Sequence, residues 1–144
     1  MAIDWQALLS EATSLIRAER SRWQALCKDI WEHPELAYEE RYACQRQVDE
    51  LRSLGFEPET PTAGVETAFR ADIGSGHPAF AIASEYDALE GIGHGCGHNL
   101  ISTAALAAFH AAVKLRDKHG LKGRLTLLGT PAEESGGGKV VMLE

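Results

Sequence analysis

Two short apolar runs, each leading straight into a glycine-rich polar loop, constrain this 144-residue chain more than any other feature. The first runs from Ala79 to Ser84 and opens into Glu85 to Asn99. The second runs from Arg124 to Gly129 and opens into Thr130 to Lys139. Continuous apolar runs of this length, bounded by glycines, read as buried strands. Between them an alanine-rich stretch starts near His98 or Asn99 and reaches about His119. Gly120 and Gly123 close it, so it reads as a helix. Helices alternating with buried strands predict an α/β fold: a layered domain with helices packed on a central mixed sheet. Ligands in such domains sit beyond the carboxyl ends of strands. The two loops are therefore predicted to converge.

The first third of the chain reads as helical. Asp4 is a plausible N-cap for a helix running to about Glu32, with Leu8, Leu9, Ala12, Leu15, Ile16, Trp23, Leu26, Cys27, Ile30 and Trp31 at helical spacing. His33-Pro34 ends it, because the residue before a proline is pushed out of the helical region. A second helix is predicted from about Glu39 to Leu54, with Gly55 as its stop. Val65 to Ile73 alternates imperfectly and reads as a strand. The GSGH turn at Gly74 to His77 predicts that it pairs with, or lies beside, the run at Ala79 to Ser84.

Composition excludes some functions. A net charge of −7 argues against a nucleic-acid-binding surface. No apolar run approaches the roughly 20 residues needed to cross a bilayer, and the start MAIDWQALLSEA lacks the basic and apolar regions of a secretory signal. Cys27, Cys44 and Cys96 are scattered and odd in number. A disulfide framework is not expected, and a reducing cytoplasm is the simplest setting. Cys27 and Cys44 fall at helical positions and read as buried thiols; His110 and His119 read as core or surface histidines.

The loop from Glu85 to Asn99 carries two acids besides Asp87, the histidines His94 and His98, and Cys96, interleaved with four glycines. Thiolate, imidazole and carboxylate are the donors for zinc, manganese, cobalt or nickel. Cys96 and His98, one residue apart in a turn, can face one point, and the helix that follows favours the thiolate. In the second loop Glu133 and Glu134 stand side by side after a strand. One can ligate a metal. The other can take the proton of a water whose pKa the metal lowers to about 7. GGGK is not a phosphate loop, because Val140 follows Lys139.

WEHPELAYEE, EYDALEGIGHGCGHNLI and GTPAEESGGGK occur in that order and together resemble the M20 metallopeptidase family, in its amidohydrolase branch (aminoacylase- and aminobenzoyl-glutamate hydrolase-like). The resemblance covers nearly the whole chain. It implies a zinc-peptidase-like fold and hydrolysis of an amide bond in N-acyl amino acids, aminobenzoyl-glutamate-like compounds or small dipeptides. Carried over by motif, Cys96, His98 and Glu134 are metal ligands and Glu133 is the general base. Asp87 is the acid that orients a ligand or tunes that base, and His94 is a supporting residue. One or two divalent metal ions are implied, zinc or manganese first, then cobalt or nickel.

Two residues depart from the family: Glu90 stands where proline is usual, and Asn99 where many members have aspartate. Family members are also much longer. The resemblance therefore implies that residues 1–144 are a truncated, N-terminal part of the catalytic domain. Two further histidine ligands and a lid domain, through which the full-length form is a homodimer, would lie outside it. On that reading the chain alone is weakly active or inactive. Two other readings stay open: a non-catalytic metal-binding or interaction module that keeps the motif, and a cysteine hydrolase using Cys96 with His94 or His98.

Overall fold

The computed structural model describes residues 4–144; the expectation about a secretory start falls partly on residues 1–3, outside this range. Three helices lead the chain: α1 (Trp5–Ala18), α2 (Arg20–Glu32) and α3 (Arg41–Ser53). Strands β1 (Phe69–Ser75) and β2 (Ala79–Ser84) follow, then the long helix α4 (His98–His119), strand β3 (Gly123–Gly129) and the short α5 (Gly138–Val141). The fold is mixed α/β with a three-stranded mixed sheet, as expected.

Asp4 caps α1 as its side chain suggested, accepting from the Gln6 and Ala7 amides at 3.1 Å. The predicted single helix to Glu32 is instead two. Glu19 leaves the helical region (φ −100°, ψ 19°) and serves as C-cap of α1 and N-cap of α2. The halves have different tasks. α2 buries Trp23, Leu26 and Ile30 in the core, whereas α1 buries no residue. It lies against α4, tied there by Glu11, which bonds Lys118 and sits 3.0 Å from His119.

The predicted pairing of β1 with β2 does not form. β3 lies between them, antiparallel to β1 and parallel to β2. β3 has the stronger claim to the centre. Its Thr126 and Leu127 are both buried, on opposite faces, and a central place satisfies its backbone on both edges. β2, apolar throughout, takes an edge and leaves Phe80 65% exposed. Phe69, Ala71, Ile73, Ile82, Leu125 and Leu127 join the core with Leu106 and Phe109 of α4.

β2, α4 and β3 form a parallel strand–helix–strand unit. Its register places the site: Ser84 pairs with Gly129, so the loops after β2 and β3 leave the sheet at the same level. The Thr130 amide and hydroxyl both donate to the Ser84 carbonyl, at 2.8 and 3.1 Å, and hold the two exits together. Among the described residues, no helix is long and apolar enough to cross a membrane.

Candidate metal centre

The loop after β2 folds on its own backbone. Leu89 and Gly93 exchange two hydrogen bonds, at 2.9 and 3.0 Å, and the Gly97 amide donates to the His94 carbonyl at 3.0 Å. Gly97 adopts a left-handed conformation (φ +88°) immediately before α4, a position where a Cβ is costly. This reversal sets Cys96 on one side of the turn and His98 on the first turn of α4.

The loop after β3 is held by side chains from elsewhere. Asp87, fully buried, accepts from the Glu134 amide at 3.0 Å through Oδ2. Glu40, also fully buried, accepts from the Ala132 amide at 2.9 Å. Tyr38 donates its hydroxyl to the Gly136 carbonyl at 2.7 Å. Gly138 closes the loop where a Cβ would fall 1.9 Å from the Pro131 carbonyl oxygen, so no larger residue fits.

These supports bring Cys96, His98 and Glu134 together: one donor atom from each lies within 4.8 Å of the others. His98 is buried, and its Nδ1 lies 2.8 Å from the Asp87 carbonyl. The Asp87 carboxylate oxygen Oδ1 is 3.1 Å from the same nitrogen but makes no hydrogen bond, so Nδ1–H donates to the carbonyl. That bond selects the tautomer with a free lone pair on Nε2, the form that ligates metal. Around Nε2 stand carboxylate oxygens of Glu134 at 3.7 Å, Glu85 at 3.8 Å and Glu133 at 3.9 Å. None is within hydrogen-bond reach. Lys139 pairs with Glu85, so Glu133 and Glu134 are the carboxylates left to face the imidazole lone pair beside the Cys96 thiol, a donor side suited to a cation. The donor set therefore fits a divalent transition metal.

Of the residues expected from sequence, Cys96, His98 and Glu134 form the cluster, Glu133 faces it, and Asp87 lies beneath it as support. His94 stands apart. It is buried, its ring nitrogens make no well-formed hydrogen bond, and burial holds its pKa below the ordinary imidazole value, with the Ile30 backbone opposing that shift. Three contributors were not singled out in sequence. Glu85 lines the site and is paired with Lys139 at 2.5 Å, the lysine of the rejected phosphate-loop motif. Glu35, in what reads as a plain helix terminator, accepts from the Tyr42 and Ala43 amides at 2.9 Å, and its carbonyl receives the Ala88 amide at 2.8 Å. Glu40 is the third. Acids near a helix start are favoured by its positive end, but nothing in sequence tells which loop they also hold.

Residues 76–144 match the model of Peptidase family M20/M25/M40. The chain is 37% identical to a subunit of the p-aminobenzoyl-glutamate hydrolase of Escherichia coli over 89% of this chain and 30% of that protein. It is 39% identical to Xaa-Arg dipeptidase of Mus musculus over 99% of this chain and 36% of that protein. It thus spans about a third of the length of these relatives. A crystal structure from methicillin resistant Staphylococcus aureus shares the fold, with a TM-score of 0.79 and 22% identity over 93% of this chain and 38% of that one. So does a Bacillus subtilis protein described as a dinuclear metal binding peptidase from M20 family, with a TM-score of 0.65 and 24% identity over 82% of this chain and 36% of that one. By the family match and by these relatives, the chain belongs to the M20 peptidase family.

Proposed function

We propose that this chain carries part of the active site of a metal-dependent amidohydrolase acting on small amides: N-acyl amino acids, aminobenzoyl-glutamate-like compounds or dipeptides. Cys96, His98 and Glu134 hold a divalent cation, and Glu133 is the general base. The observation that carries this reading is the meeting of thiol, imidazole and carboxylate within 4.8 Å, from loops far apart in sequence, with a second carboxylate alongside. The relatives' names, one a hydrolase and the other a dipeptidase, support the substrate class.

The bound cation would polarise the scissile carbonyl and acidify the attacking water. Glu133, 39% exposed on the open side of the cluster, takes the proton from that water and passes it to the leaving amine. Asp87 fixes the His98 tautomer and aims Glu134 through its amide. The mixed sulfur, nitrogen and oxygen donor set favours zinc; manganese is the second candidate from the resemblance to the family. Three protein donors leave coordination positions open, as in catalytic sites. We read residues 4–144 as part of a larger catalytic unit, weak in hydrolysis by itself.

Replacing Glu133 with alanine in the active protein tests the assignment. Hydrolysis of a panel of N-acyl amino acids and dipeptides is expected to fall at least about 1,000-fold, within the range for loss of a general base, with metal content unchanged. Retained hydrolysis refutes Glu133 as base. Metal binding without hydrolysis of the panel by the unaltered protein would favour a non-catalytic metal module.

A further inference from the structure

We propose that Glu40 is a positioning residue of the metal centre, the buried strut that aims the Glu133–Glu134 pair. This rests on the metal-site reading above. Glu40 is fully buried at the N-terminus of α3, far from any donor in sequence. One of its carboxylate oxygens accepts from the Ala132 amide at 2.9 Å and the other from the Thr67 hydroxyl at 3.1 Å.

Ala132 is the residue before Glu133. It is fully buried and holds a left-handed conformation (φ +56°), unusual for a residue with a Cβ. A strained residue of this kind persists only where its surroundings over-determine it. Here Glu40 grips its amide, and the Gly138 amide grips its carbonyl at 3.1 Å. Asp87 holds the Glu134 amide. Two buried carboxylates thus clamp the chain on either side of Glu133, one from α3 and one from the cysteine–histidine loop. The second oxygen of Glu40 ties this clamp to Thr67, whose carbonyl receives the hydroxyl of buried Tyr86, the neighbour of Asp87. The two struts are thereby linked to each other.

A metal titration with Co2+, read through its thiolate charge-transfer band and visible spectrum, tests the strut. Glu40→Leu is expected to lower Co2+ affinity about tenfold or more, the usual scale for a residue that orients a ligand. Glu40→Gln should restore it to within about twofold. Its amide oxygen accepts from Ala132 and its NH2 donates to the Thr67 hydroxyl. Thr67→Val removes the other contact but keeps the grip on Ala132, and should lower Co2+ affinity clearly less than Glu40→Leu does. Should Glu40→Leu fail to fold, Glu40→Asp, too short to reach Ala132, takes its place with the same expected loss. Folded Leu or Asp variants with unchanged affinity and spectrum overturn the proposal, as does a Thr67→Val loss equal to theirs. If the unaltered chain binds no Co2+, the metal-site reading fails, and this one with it.

Discussion

The two loops that build the site are held in different ways. The loop from Glu85 to Gly97 is braced by its own backbone, through the Leu89–Gly93 ladder and the His94–Gly97 turn. The loop from Thr130 to Gly137 is braced by distant side chains, Tyr38, Glu40 and Asp87. A self-braced loop presents its donors wherever the local sequence folds. A loop braced from outside presents them only when the rest of the domain is in place. The first loop brings Cys96 and His98, and the second brings Glu134 and Glu133. Metal binding and the placement of the base are therefore coupled to the packing of α3 chiefly through the second loop, which Glu40 holds, and less through the first, whose Ala88 amide meets the carbonyl of Glu35.

The sharpest way to break this contrast is to remove a donor from the self-braced loop. Cys96→Ser is expected to weaken Co2+ or Zn2+ binding by at least about 100-fold, roughly 2.7 kcal/mol, with the melting temperature of the metal-free chain unchanged. Unaltered affinity in that variant would remove Cys96 from the ligand set. Next in size is Gly138→Ala in the externally braced loop. The new Cβ would collide with the Pro131 carbonyl, so either the loop moves or the domain loses about 2 kcal/mol. Metal affinity should fall with it. A denaturant melt and a metal titration matching the unaltered protein would show that the loop tolerates what its geometry forbids.

Gly97→Ala probes the self-braced loop in the same way but at a position with open space around the Cβ. Only the left-handed conformation is penalised, by about 1 kcal/mol, seen as a small drop in denaturant midpoint. A loss as large as that of Gly138→Ala would mean the first loop is no more independent than the second.

The smallest effect concerns the helical layer, away from both loops. His110 is buried against Trp23 and Phe56, and burial first, then nearby Lys114, holds its pKa below the ordinary imidazole value of about 6.5, against the opposing charge of Glu19. Below about pH 6.5 the unfolded chain takes up a proton that the folded one resists. Stability therefore falls as pH drops through this range, until folded His110 also protonates. His110→Leu should flatten that slope by less than about 1 kcal/mol between pH 6.5 and 5. Urea melts at both pH values with an unchanged slope would place the pH sensitivity elsewhere.

Much of this was legible in sequence because it is local. The caps at Asp4 and Gly55, the helix from His98 to His119 and both strand-to-loop transitions follow from periodicity and turn chemistry within a few residues. So does the pairing of a thiol with an imidazole across Gly97. The break at Glu19 was not legible, because the apolar positions Ile16 and Trp23 on either side of it, seven residues apart, keep one helical phase.

Nor was the strand order. The GSGH turn joins β1 to β2, yet β3 comes between them, because burial rather than nearness in sequence decides which strand takes the centre. Glu40 read as a residue at a helix start, and Lys139 as part of a failed motif. Their partners, Ala132 and Glu85, lie 92 and 54 residues away. The sequence by itself determined which donors exist and which loops carry them, since glycines and apolar runs act over short range. Tertiary structure alone decided that those donors meet, because the Ser84–Gly129 register and the buried carboxylates act between segments that only folding brings into contact.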